Sequence, residues 1–146
     1  MDSQFATKVL LVDDEEEFIS LMSQRLETRG LQVVSVTCGE EAVARIDDQN
    51  IDVAVVDLAM PGIDGIETLI KLKEKRPDLE VIMLTGHATV HSGIEAMKHG
   101  AVDYLEKPVN LSQLMEVIRA AKERRMQAMA KQSADEVKHI LKSKSW

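Results

Sequence analysis

The sequence predicts an α/β fold: a doubly wound, five-stranded parallel sheet with helices on both faces. Three observations predict it. Five short apolar runs, most of them β-branched, alternate with five stretches of helical period. The short runs are apolar on consecutive residues, as in strands covered on both sides. Strict β-α alternation also implies crossovers that leave neighbouring strands parallel.

The elements follow in order. KVLLV (8–12) is the first strand, and Phe18, Ile19, Met22 and Leu26 stripe the first helix, with Gly30 as its stop. QVVSV (32–36) is the second strand, followed by Ala42, Val43 and Ile46 on the second helix. DVAVVD (52–57) is the third strand, and Ile66, Leu69, Ile70 and Leu72 mark the third helix. EVIMLT (80–85) is the fourth strand, with Ile94, Ala96 and Met97 on the fourth helix and Gly100 as its stop. VDYLE (102–106) is the fifth strand. Leu111, Leu114, Met115 and Ile118 then give the clearest helical spacing of the five. Residues 1–120 make one domain, and residues 121–146 a basic helical tail, an extension or the start of a linker. Ser133 to Glu136 reads as a capping box, so the fifth helix is expected to break near Ser133. A short helix with Val137, Ile140 and Leu141 on one face would follow.

Composition narrows the function classes. The chain of 146 residues is 45% hydrophobic but only 3% aromatic, so its core rests on aliphatic side chains and Met. The net charge of -7 does not attract nucleic acid or anionic lipid overall. Residues 1–116 hold 10 Lys/Arg against 22 Asp/Glu, net -12, whereas residues 117–146 hold 8 against 3, net +5. Cys38 is the only cysteine, which suits a reducing compartment. The N-terminus lacks a signal-peptide pattern, and no apolar run is long enough to cross a bilayer. A soluble cytoplasmic protein is expected.

The stretch LLVDDEEEF, residues 10–18, runs an apolar strand straight into five acids. In parallel α/β sheets the ligand site lies beyond the carboxyl ends of the strands. The first strand ends at Asp13 and Asp14, the third at Asp57, the fourth at Thr85 and the fifth near Lys107. Three carboxylates, a hydroxyl and an ammonium should share one rim. Clustered carboxylates raise one another's pKa unless a cation lies among them. Oxygen-only ligands favour a hard cation, and Mg²⁺ fits. A carboxylate beside such a cation and a Lys is set up to attack a phosphoryl group, with Thr85 able to bond a phosphoryl oxygen. Glu15, Glu16 and Glu17 fall in the first turn of a helix, where negative charge is favourable, and Glu15 is expected near the rim.

The motifs VDDEEEF, VVDLAMPGIDG, MLTGHA and YLEKPV resemble the receiver domain of bacterial two-component response regulators, over roughly residues 6–120. The resemblance implies the flavodoxin-like strand order 2-1-3-4-5. It implies that Asp57 accepts a phosphoryl group from a histidine kinase or phosphotransfer protein. Asp14, Asp57 and the backbone carbonyl of Ala59 would ligate Mg²⁺, with Asp13 in the second shell or bound through water. Lys107 would contact the phosphoryl group, Thr85 would be the switch hydroxyl, and Tyr104 the aromatic that turns inward on activation. The bond before Pro108 would be cis. The face of the fourth helix, fifth strand and fifth helix would meet an output protein or domain. Ala59 stands where a polar side chain is more usual, which touches the rate of phosphoryl loss and not the carbonyl.

Blander readings stand beside these. Asp13 and Asp14 alone could cap a helix, Thr85 alone could end a strand, Lys107 could be a surface charge and Tyr104 could be core. His87 and His91 have the i, i+4 spacing of a metal pair, with no third ligand evident. Cys38 reads as an inert thiol. Two rival functions remain: a haloacid-dehalogenase-type phosphatase, which needs a second Asp where Ala59 stands, and the truncated receiver part of a DNA-binding regulator. The expected protein is not an enzyme beyond assisting its own phosphoryl chemistry. It binds neither nucleic acid nor membrane directly, and its tail could pair two chains through Met126, Met129 and Val137.

Overall fold

The computed structural model describes residues 6–47, 50–60, 62 and 64–143. The elements alternate as β1 (Lys8–Val12), α1 (Glu16–Thr28), β2 (Gln32–Val36), α2 (Gly39–Arg45), β3 (Val53–Asp57), α3 (Gly65–Lys75), β4 (Glu80–Thr85), α4 (Val90–Lys98), β5 (Asp103–Glu106) and α5 (Leu111–Ser143). All neighbouring strands pair in parallel, in the order β2-β1-β3-β4-β5. The expected strands therefore form, within a residue at each end, in the expected order.

The consecutive apolar residues of each strand divide between two cores, as a pleat of period two requires. Leu10, Val12, Ala54, Val56, Val81 and Met83 pack with α2, α3 and α4 through Ala42, Leu72 and Ala96. Val9, Leu11, Val53, Val55, Ile82 and Leu84 pack on the opposite face with α1 and α5 through Leu26 and Ile118. Each fully buried aliphatic side chain contributes about 2 kcal/mol of transfer free energy.

Local signals set the helix ends. Gly30 and Gly100 follow α1 and α4 at φ +90° and +101°, a region that favours glycine. Asp64 caps α3 by accepting from the Glu67 N–H at 2.9 Å, and Thr89 with Ser92 forms a capping box on α4.

One expectation needs correction, and one apolar stripe packs only in part. The stripe on α4 is only partly core: Ala96 is fully buried, whereas Ile94 and Met97 are 62% and 50% exposed. The reason is that α4 lies over β5, the last strand, so only one side of its apolar arc finds a partner. The fifth helix also does not break at Ser133. It runs unbroken from Leu111 to Ser143, and Glu136 faces Gln132 at 3.5 Å across the supposed cap. Lys131, Gln132 and Ala134 are good helix formers, neither Gly nor Pro intervenes, and one internal Ser costs only about 0.5 kcal/mol.

Residues 126–142 of α5 are exposed throughout. The helix leaves the body at a charge network below the amino ends of the strands. Arg125 donates to Asp52 at 2.9 Å and to Asp78 at 3.1 Å. Asp52 also accepts from the backbone N–H of Lys8 at 2.9 Å. Burial works against ionisation of Asp78, but Arg76 and Arg125 outweigh it and hold its carboxyl below the usual range. Arg125→Ala leaves Asp52, 15% exposed, without its closest cation. The expected loss, read by urea unfolding, is about 2 kcal/mol. A change under about 0.5 kcal/mol, the scale of an ordinary surface substitution, would show that the network does not tie α5 to the sheet.

Candidate functional site

Strand register brings the candidate residues to one rim. Val12 lies opposite Val56, so Asp13 follows beside Asp57. Asp57 lies opposite Leu84, and Thr85 opposite Glu106, which places Lys107 one step beyond. The backbone joins these ends: Lys107 N–H donates to the Thr85 carbonyl at 2.7 Å and Leu58 N–H to the Leu84 carbonyl at 3.0 Å. The Lys107–Pro108 peptide is cis.

Oxygens of Asp13, Asp14 and Asp57 all lie within 4.8 Å of one another. Asp13 and Asp57 are 1% and 5% exposed, while Asp14 faces solvent. Both oxygens of Asp13 are engaged. One accepts from the Lys107 ammonium at 2.6 Å, and the other from the Glu15 N–H at 2.9 Å. Among the described residues Asp57 receives a single, long bond, 3.4 Å, from the Ala59 N–H. Burial, then repulsion from Asp13, pushes its pKa up from 3.8 to about 7, against the pull of Lys107. Thr85 is 1% exposed, and its hydroxyl oxygen accepts from the His87 N–H at 3.1 Å. Three close carboxylates with one Lys among them fit a hard dication, which would relieve their repulsion.

The Lys107 ammonium has further partners. It donates to Glu15 at 3.1 Å and lies 4.2 Å from the centre of the Phe18 ring. Burial opposes its charge, but the bonds to Asp13 and Glu15 outweigh this and raise its pKa. Sequence reasoning placed Glu15 only near the rim and Phe18 only in an apolar stripe. Their i, i+3 spacing was the available signal, since it puts both on one side of the first turn of α1.

Other candidates fall elsewhere. Tyr104 is half-buried on β5, with its hydroxyl bonded to Ser92 of α4 and its ring against Gly93. Val90, Ile94 and Met97 extend this edge as an exposed apolar surface. His91 approaches Glu95 at 3.8 Å, and neither His87 nor His91 joins a metal-capable cluster among the described residues. No helix among the described residues is long and apolar enough to cross a membrane.

Comparison with known proteins gives a consistent result. The family model of the response regulator receiver domain matches residues 9–119. The transcriptional regulatory protein TcrA of Mycobacterium tuberculosis is 38% identical over 117 residues, covering 80% of this chain and 46% of that protein. The C4-dicarboxylate transport transcriptional regulatory protein DctD of Pseudomonas aeruginosa is 40% identical over 118 residues, covering 80% of this chain and 25% of that protein. The chain thus spans less than half the length of these curated relatives. Among solved structures, a CheY-like receiver domain protein from Methanospirillum hungatei is 29% identical with a TM-score of 0.80, covering 84% of this chain and 98% of that one. The beryllofluoride-activated NtrC4 receiver domain dimer is 36% identical with a TM-score of 0.76, covering 81% of this chain and 98% of that one.

Proposed function

The chain belongs to the response regulator receiver family, and from that premise we propose that Asp57 is its phosphoacceptor. The observation that carries this is the cluster itself: a buried carboxylate at a strand end, with two more carboxylates whose oxygens lie within 4.8 Å, one of them held by Lys107. The donor is a phosphohistidine on a histidine kinase or phosphotransfer protein. An ionised Asp57 oxygen attacks phosphorus, the P–N bond breaks, and the imidazole leaves with the bond's electron pair and takes up a proton.

Asp14, Asp57 and the Ala59 carbonyl are the proposed ligands of Mg²⁺, which supplies positive charge for the phosphoryl oxygens when bound. Asp13 would meet the ion indirectly or through a bound water, while its oxygens orient Lys107 and the Glu15 N–H. Lys107 stabilises the charge that develops on the phosphoryl group. The product carries ~1.5–2 negative charges and three acceptor oxygens. Thr85 moves to bond one of them, and Tyr104 leaves Ser92 to occupy the vacated space. The surface of α4, β5 and α5, with Val90, Ile94 and Met97 exposed, then changes its fit to an output protein or domain. The same switch could govern pairing of two chains. We place residues 1–120 as the receiver and 121–146 as an extension, in a cytoplasmic protein that touches neither nucleic acid nor membrane itself.

The test is labelling with acetyl phosphate. One base-labile phosphoryl group per chain is expected with Mg²⁺, and none once EDTA removes the metal. Full labelling in EDTA, or turnover of a generic phosphoester, would exclude this reading. The phosphatase alternative gains nothing from the site, because Ala59 stands where its second Asp is needed.

A further inference from the structure

A lysine ammonium has three donors. In this chain Lys107 donates to Asp13 at 2.6 Å and to Glu15 at 3.1 Å, and its ammonium lies over the face of Phe18, whose ring centre is 4.2 Å away. A phosphoryl oxygen on Asp57 therefore competes for an ammonium that two carboxylates and a ring already surround. The partners differ in what release costs. Asp13 is 1% exposed, so losing its cation leaves a buried charge uncompensated. Glu15 is 64% exposed and passes into water at little cost. Phe18 screens one side of the ammonium from solvent without accepting a conventional bond.

We propose that Glu15 is a positioning residue that holds Lys107 in the unphosphorylated protein and competes with the phosphoryl group for it. The inference rests on the phosphoacceptor reading of Asp57. Glu15 occupies the N-cap position of α1, and its side chain makes no capping bond, so its carboxylate is available to Lys107. Its one described side-chain contact is with Lys107, 92 positions away. Glu15 thus favours the resting state and is the partner given up on activation. Asp13 keeps its bond in both states.

The experiment uses the full chain and beryllofluoride with Mg²⁺ as the phosphoryl mimic. Glu15→Ala should bind the mimic about three- to five-fold more tightly than wild type, with Glu15→Gln between them. Glu16→Gln removes an equal charge from the same helical turn and should stay within about two-fold, as expected of a charge without a partner at the site. A second measurement needs no metal: hydrogen exchange of the Lys107 ammonium, followed by NMR, should be faster in Glu15→Ala and unchanged in Glu16→Gln. Equal mimic affinity in Glu15→Ala and Glu16→Gln would overturn the proposal. So would tighter binding with unchanged Lys107 exchange, because that outcome reports bulk repulsion alone. If wild type binds the mimic and the variants do not differ, only the role of Glu15 fails. If wild type does not bind it, the phosphoacceptor reading fails as well.

Discussion

Asp57→Asn should bring phosphoryl incorporation from acetyl phosphate or a cognate kinase below detection. The amide oxygen is a poor nucleophile, and the variant loses one negative ligand for the dication. The same substitution should change stability in the opposite sense. In the folded chain Asp57 titrates at about 7, against an ordinary 3.8. Between those values the native state keeps a proton that the unfolded chain has released. The stability this confers is complete below about pH 3.8, falls as pH rises, and is gone above about pH 7. Metal-free wild type should therefore lose ground to Asp57→Asn across that window. At pH 8 the variant should be the more stable by on the order of 2 kcal/mol, once contact with water is allowed for. Millimolar Mg²⁺ should narrow the gap, because it gains more from the wild-type cluster. Labelling of the variant at the wild-type rate would remove Asp57 from the mechanism. Parallel pH profiles in metal-free melts would show that the cluster does not strain its carboxylates.

Gly65→Ala should be the most damaging single methyl addition at this rim. Gly65 opens α3, and its N–H donates to the Leu58 carbonyl at 2.9 Å. A Cβ there would lie 2.3 Å from the Asp57 carbonyl oxygen and 2.5 Å from the Leu58 Cα. Both are backbone atoms, so no rotamer relieves the clash. Either α3 withdraws or the end of β3 shifts, and the second displaces Asp57. The expected cost is about 3 kcal/mol in urea unfolding, with phosphoryl labelling reduced alongside. Gly86→Ala is the comparison, because nothing lies within 4 Å of its added Cβ. Equal midpoints for the two variants would mean that the close approach of α3 to β3 is not needed.

The site was legible in the sequence to the extent that the fold was. Once the β-α alternation fixes a parallel sheet, Asp13, Asp57, Thr85 and Lys107 must emerge at its carboxyl edge, since each ends or directly follows a strand. Their chemistry then follows from residue type. Less legible was how Lys107 divides its bonds. Phe18 sits in an apolar stripe whether or not an ammonium lies over it, and Glu15 is one acid among five. Arg125 was equally silent: a basic residue on a basic tail gives no sign that it reaches Asp52 and Asp78. The capping-box motif at Ser133 misled because a cap forms only where the chain enters a helix from extended backbone, and here the preceding residues are already helical.

The sequence by itself determined the layers, the strand boundaries and the set of charged groups at the rim. These depend on periodicity and on which residue ends each apolar run. The tertiary structure alone decided that α4 leaves Ile94 and Met97 exposed, and that burial beside Asp13 lifts Asp57 to about 7. It also decided that Lys107 meets Asp13, 94 positions away, while holding Glu15. Such outcomes rest on distance and dielectric between groups far apart in the chain, and those quantities exist only after the two cores have packed.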